Sequence, residues 1–357
     1  MKKRQPLKGV KSKNRKALTC RLYKDEIEQI NQYRRFQNEA IEQGLDPKSV
    51  KHGWLKSKES SLFVKNHDYE EPKERKTKEA FEQLINDLKD YSPKFPTIKR
   101  TPCNDGHLLV IDPADCHIGK LCSSFETGES YDSQTAVKRI REGVQGILDR
   151  TAGYNIDMIL FVTGNDILHI DTPTRKTTSG TPQDTSGMWY DNVVAAKDVY
   201  IEVIEMLLAV APVHCVFNPS NHDFMSGFML LQAVEAWFNN CKDITFDSDM
   251  RHRKYFKYYN NLIGTTHGDG AKVNDLPLLM ANESGDWSST EKRYIYTHHI
   301  HHYTGKDFHG VTLQSLRSPS GTDGWHHRKG YQHSPKAIEG FLHHPKHGQV
   351  TKITYFF

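Results

Sequence analysis

"VHCVFNPSNHD", residues 213–223, runs from an apolar strand pattern straight into an amide, an imidazole and a carboxylate. A polar turn exposed to solvent would account for such a loop. A ligand site would too, because open α/β architectures assemble such sites at the C-terminal ends of their strands. The same transition recurs. "HLLVIDPADCHIG" (107–119) and "DMILFVTGNDILHID" (157–171) precede it, and "YFKYYNNLIGTTHGDG" (255–270) and "KRYIYTHHIHH" (292–302) follow. Helical periodicity separates these runs in "TAVKRIREGVQGILDR" (135–150), in a region from about 190 to 209, and in "GFMLLQAVEAWFNN" (227–240). The chain closes with "AIEGFLHH", a turn at "PKHG" and "QVTKITYFF". This pattern predicts an α/β fold whose strands deliver polar clusters at one end.

The clusters are Asp115 with His117; Asp166; Asn221 with His222 and Asp223; His267; and His299 with His301. A single D-x-H has little specificity, yet that spacing at a strand's end can aim both side chains into one site. Asp, Asn and His are oxygen and borderline nitrogen ligands that suit Mn²⁺, Fe or Zn²⁺, and no cysteine quartet points to a structural zinc cluster. Two cations a few ångström apart need about seven such groups, with one carboxylate bridging. This set supplies them.

In order, "DCH" (115–117), "GND" (164–166), "SNHD" (220–223), "HG" (267–268) and "HHIH" (298–301) resemble the calcineurin-like metallophosphoesterase superfamily, with its D-x-H, G-D, G-N-H-D/E, H-G and G-H-x-H blocks. The resemblance covers about residues 105–305. It implies a metallophosphoesterase-type β-sandwich flanked by helices. It places Asp115, His117, Asp166 and His301 around one metal and Asp166, Asn221, His267 and His299 around the other, with Asp166 as the bridge. Two divalent ions are expected, Mn²⁺ first, with Mg²⁺, Fe and Zn²⁺ as alternatives. Such a pair binds the non-bridging oxygens of a phosphoester and lowers the pKa of a shared water. His222 would stabilise the developing charge or protonate the leaving oxygen, with Asp223 holding its imidazole. Asn165, Ser220 and His298 stand where the family has glycine, which affects loop shape rather than ligand chemistry.

His169, three residues past Asp166, also matches a short Asp-x-x-His pattern of the SbcD-type DNA-repair nuclease branch, or it orients a ligand from behind. Arg175 and Lys176 follow in a long polar loop and could neutralise phosphate. In "RSPSGTDGWHHRKGY", Arg317, Trp325, His326, His327, Arg328 and Lys329 could wall a nucleotide site, or form a solvated turn around one packed tryptophan.

Residues 1–19 hold eight Lys or Arg and no acid, which leaves −4 on the rest of a chain whose net charge is +4. The basic character is a tail of about twenty residues, able to meet the phosphates of a nucleic acid. Residues 21–100 read as a small helical subdomain and linker, with Trp54 either stacking on a base or anchoring a small core. The three prolines of "SPKFPTIKRTP" (92–102) mark a boundary near 100, which leaves 101–357 as the catalytic domain. No export signal and no run of eighteen apolar residues occurs, and the six cysteines lack paired spacing. Free thiols, a cytoplasmic setting and no membrane partner are the expectation. The basic loops resemble those of phage-encoded phosphoesterases, which would make that the host cytoplasm. The composition and motifs favour nuclease or exonuclease action on DNA. A phosphomonoesterase or small-molecule phosphodiesterase uses the same metals, and a degenerate binding module is a third possibility.

Overall fold

The computed structural model describes residues 4–6, 21–56, 61–66, 69, 72–100 and 106–357. Most of the basic tail, with Cys20 and Cys103, lies outside the described residues. The chain divides into two compact units, Met1–Leu84 and Ile85–Phe357.

The first unit contains the helix Lys24–Glu42, an antiparallel hairpin of His52–Lys56 with Ser61–Lys65, and most of the helix Pro72–Asp90. Strand alternation decides the fate of its tryptophan. Leu55 turns inward with Phe36 and Ala40, while Trp54 is 61% exposed and rests edge-on against Phe63. Trp54 is therefore not the buried anchor of this unit.

The second unit is built on two sheets. From edge to edge the six-stranded sheet runs Gly348–Phe356, Ala337–His344, His107–Asp112, Ile156–Gly164, Val213–Asn218 and Ile244–Asp247, the last four mutually parallel. The five-stranded sheet runs Thr304–Phe308, Val311–Ser315, Lys292–Thr297, Asn261–Thr266 and Lys254–Tyr258, with its three central strands parallel. Period-two alternation splits each central strand between two cores. Leu108, Val110, Leu160, Val162 and Val216 face Ile263 and Tyr296 of the second sheet and Leu316 just past its end, and this is the seam of a sandwich. Leu109, Ile111, Ile159 and Phe161 face outward onto the helices Ser133–Thr151, Trp189–Val210 and Phe224–Trp237. Helix Leu276–Glu283 covers the far side of the five-stranded sheet through Leu276 and Met280. The helix-flanked β-sandwich expected from the sequence is thus the architecture observed.

In the middle of the six-stranded sheet the parallel strands carry apolar side chains on both faces, at residues 108–111 and 158–162 for example, as doubly covered strands do. Their C-terminal ends open on one edge of the sandwich, where the apolar pattern gives way to Asp, Asn and His. Cys116, Cys122, Cys215 and Cys241 are free thiols. No helix among the described residues is long and apolar enough to cross a membrane.

Candidate metal centre

Two strand-end loops lie side by side beneath the site. The amides of Asp115, His117 and Ile118 donate to the carbonyls of Asn165 (2.8 Å), Asp166 (2.9 Å) and Ile167 (2.7 Å). Holding these ligands requires unusual backbone. Of nine non-glycine residues with positive φ among the described residues, six are Asp115, His117, Asn165, Asp166, His299 and His301. Left-handed backbone is uncommon outside glycine and concentrates where function over-determines it, and Asn and Asp tolerate it best. Asn165, at φ 53°, therefore does the conformational work expected of glycine. Gly164, itself left-handed at φ 79°, tolerates no side chain, because a Cβ there would sit 2.3 Å from the carbonyl oxygen of Asn218 on the neighbouring strand.

These loops bring six of the seven expected ligands into two clusters, Asp115/His117/His301 and Asp166/His267/His299. Within the first, His117 Nε2 is 3.3 Å from His301 Nε2, and His301 Nε2 is 3.5 Å from Asp115 Oδ1. Within the second, His267 Nε2 is 3.1 Å from Asp166 Oδ2 and 3.0 Å from Asn221 Oδ1, which brings in the seventh. Asp115 Oδ2 accepts the His299 amide at 3.1 Å, joining the two groups. Asp115, His117, Asp166 and Asn221 ride on loops of the six-stranded sheet, and His267, His299 and His301 on loops of the five-stranded one.

The donor set fits divalent cations. Asp115 Oδ1 and His267 Nδ1 are buried without a hydrogen-bond partner. Both ring nitrogens of His117 face other histidine nitrogens, Nδ1 lying 3.3 Å from His169 Nδ1, while burial and then His222 push this ring well below the usual histidine range. A neutral imidazole carries one proton, so at least one of its nitrogens presents a lone pair to the site. Burial alone would raise the Asp115 carboxyl, but His301, His267 and His298 hold it down to about 2. Burial would likewise lower His267, but Asp166 and Asp115 raise it to about 9. A cation that bound here would displace the trapped proton and keep the ionised carboxylates as its ligands.

His222 stands beside the first cluster, its ring 4.6 Å from that of His117 and stacked on His169 at 5.2 Å. Its amide donates to Asp166 Oδ1 at 2.9 Å, and its Nδ1 donates to the His169 carbonyl at 2.8 Å. Asp223 does not hold this imidazole, contrary to the sequence expectation. Its carboxylate turns inward, Oδ1 accepting from Ser220 Oγ at 2.6 Å and Oδ2 from the Leu168 amide at 2.9 Å. Ser220 Oγ also accepts the Asp166 amide at 2.7 Å. The Ser220–Asp223 pair thus shapes the Asp166 loop, and the hydroxyl that departs from the family's glycine is structural. His298, the other departure, lies buried between the sheets with Nε2 3.1 Å from Asp112 Oδ2.

A cavity of about 610 Å³ opens over His117, Asp166, His222, His299 and His301. Its wall includes His169, Thr181–Asp184 and the short helix Gly324–Lys329 through Trp325, His326 and Arg328. Lys120 and Asp323, which no sequence pattern marked, hold that helix. Lys120 is buried, its Nζ 2.9 Å from Asp323 Oδ2, and Asp323 Oδ1 accepts from both the amide and Nδ1 of His326 at 2.8 Å. The His326 ring stacks on His301 at 5.0 Å. The other candidates lie elsewhere. Arg317 is paired with the buried Glu339, Lys329 is exposed and does not line the cavity, and Arg175 and Lys176 are exposed on the loop leading to Thr181.

No family model and no curated protein matches this chain. Solved structures align at low scores. A zinc complex of Vps29 from Entamoeba histolytica is 13% identical over 70% of this chain and 98% of that one, with a TM-score of 0.29. A novel archaeal phosphodiesterase is 10% identical over 70% and 99%, at 0.34. A predicted phosphoesterase of Streptococcus pneumoniae is 11% identical over 72% and 100%, at 0.28. At these scores the likenesses add no weight to the topology and ligand geometry of the chain itself.

Proposed function

We propose that this chain is a metallophosphoesterase of the calcineurin-like type, hydrolysing phosphodiesters at a dinuclear centre whose mixed oxygen and imidazole donors suit Mn²⁺, Fe or Zn²⁺. The observation that carries the reading is the convergence of the Asp115/His117/His301 and Asp166/His267/His299 clusters beside His222 at one open cavity. Bound divalent ions would supply Lewis acidity to the phosphoryl oxygens and a water acidic enough to attack near neutral pH.

The chain's own residues supply position and proton handling. Asp166, gripped by the Ser220 hydroxyl through its amide and by the His222 amide through Oδ1, is held in place as the proposed bridging carboxylate. His222 commits its Nδ1 proton to the His169 carbonyl, which leaves Nε2 as the nitrogen available to substrate. Protonated, Nε2 donates to the leaving oxygen. Neutral, it accepts a proton from the attacking water.

Nuclease action is a second reading, favoured by Arg328 on the cavity wall and by Arg175 and Lys176 on the neighbouring loop. The deciding experiment compares a bis-aryl phosphodiester, an aryl phosphomonoester, single-stranded DNA, duplex DNA and RNA under matched Mn²⁺. Chelator-sensitive diester hydrolysis is expected. Cleavage of the monoester alone would move the reading to a phosphatase, and no hydrolysis of any substrate would end it.

A further inference from the structure

Beyond the metal ligands, the cavity has one wall with no assigned purpose. Helix Gly324–Lys329 is too short to be stable alone, and the Lys120–Asp323 ion pair together with the Asp323–His326 bonds fixes it in place. The arrangement is directional. His326 stacks on the ligand His301 at 5.0 Å with 16° between rings, and Trp325 meets His326 at a further 5.0 Å, so the indole lies within about 10 Å of the first metal cluster. Gly330, at φ 83°, then reverses the chain and brings Tyr331 to 6.0 Å from Trp325 on one side. Trp325 nevertheless remains 53% exposed and lines the cavity with Arg328. A large aromatic surface left uncovered beside a phosphoester site, with a guanidinium next to it, matches the chemistry of a nucleobase attached to a phosphate.

We infer that Trp325 and Arg328 form a nucleoside subsite, so that the diester cleaved at the metal centre is a nucleotidyl one, with its base stacked on Trp325 and a neighbouring phosphate or sugar oxygen met by Arg328. Lys120, Asp323 and His326 are positioning residues that hold this wall at base-to-phosphate distance from His301. The inference rests on the phosphoesterase reading but can fail separately from it.

The test has a kinetic and a binding arm. In the kinetic arm, kcat/KM for thymidine 5′-(p-nitrophenyl) phosphate is compared with that for methyl p-nitrophenyl phosphate. The wild type should prefer the nucleoside diester, and Trp325→Ala should cut that preference at least about fivefold, the low end of what a lost base stack costs, while Trp325→Phe retains most of it. Asp323→Asn, which touches no substrate, should erode the same ratio through KM. In the binding arm, calorimetry in Mn²⁺ compares thymidine 5′-monophosphate with methyl phosphate. A preference for the nucleotide that vanishes in Trp325→Ala supports the subsite even if no diester is turned over, in which case only the hydrolytic reading falls. Equal affinity for the two ligands in the wild type, or a preference unchanged in Trp325→Ala, overturns the subsite whatever the hydrolysis shows.

Discussion

Asp112 Oδ2 and His298 Nε2 face each other at 3.1 Å in the seam between the two sheets, each without another protein hydrogen-bond partner. Burial, then the charges of Asp115 and Glu339, pushes the Asp112 carboxyl well up, and burial pushes His298 down to about 3. Burial thus favours the uncharged form of both groups, which sit directly behind the ligand loops. Asp112→Ala should cost about 1–3 kcal/mol by stranding a buried imidazole, and Asp112→Asn, which keeps a polar group opposite, should cost less. A double-mutant cycle with His298→Ala in urea would show coupling between the two, and strict additivity would dissolve the pair.

Ligation and proton transfer separate at Asp166 and His222. If Asp166 bridges the proposed metal pair, Asp166→Asn should lower both metal content and turnover. His222→Ala should keep most metal and lose roughly a hundredfold in kcat, the scale of a missing acid–base group. Elemental analysis alongside kinetics checks both, and wild-type turnover in His222→Ala would remove it from the mechanism.

Ser220→Ala removes the acceptor of the Asp166 amide and the donor to Asp223 in one step. A loss of about 1–3 kcal/mol in stability is expected, since two buried groups lose their partner. Metal affinity should fall with it. Unchanged metal titration in a folded Ser220→Ala protein would show that the Asp166 loop holds its shape unaided.

His343 gives the chain an acid-sensitive limb. It is buried between Tyr294 and Tyr296 with Nδ1 unpartnered, and burial lowers it from 6.5 to about 3. The unfolded chain binds this proton more readily than the folded one. The contribution is therefore intact above pH 6.5 and is lost as pH falls from there towards 3. Between pH 6.5 and 5 that amounts to about 2 kcal/mol. His343→Leu should flatten the slope while leaving the Tyr296 hydroxyl its bond to Gln349. Parallel urea midpoints for the two proteins at pH 7 and 5 would reveal it.

The basic tail bears on the nuclease reading. Deleting residues 1–19 should weaken DNA binding and flatten its salt dependence, because each lost phosphate contact removes close to one unit of the log–log slope. Hydrolysis of a small aryl diester should be little changed. An identical salt slope after deletion would assign the DNA contacts, if any, to the cavity loops.

The clustering of these Asp, Asn and His side chains was legible in the sequence because each follows its strand within a few residues, so local order in the chain becomes order around the site. Relationships across long separations were not. His222 and Asp223 are adjacent, yet one side chain turns to the cavity and the other into the core, where Ser220 and the Leu168 amide meet it. Lys120 and Asp323 carried no pattern, since an ion pair so far apart in sequence exists only once the loops converge. For Trp54 the sequence allowed either base stacking or a core anchor, and strand parity, which size alone does not reveal, placed Leu55 inside instead.

The division of the ligands between two sheets reaches past catalysis. A cation held by Asp115 or Asp166 on one side and by His301 or His267 on the other can be bound fully only while the halves of the sandwich are closed together. Occupancy and cohesion are then one equilibrium. Above the dissociation constant, each tenfold rise in free cation should add about 1.4 kcal/mol per independent ion to the work of unfolding. On the proposed metal reading, the melting temperature of this chain would gauge metal supply, and dialysis against a chelator should lower it in a way that returns on adding a divalent cation.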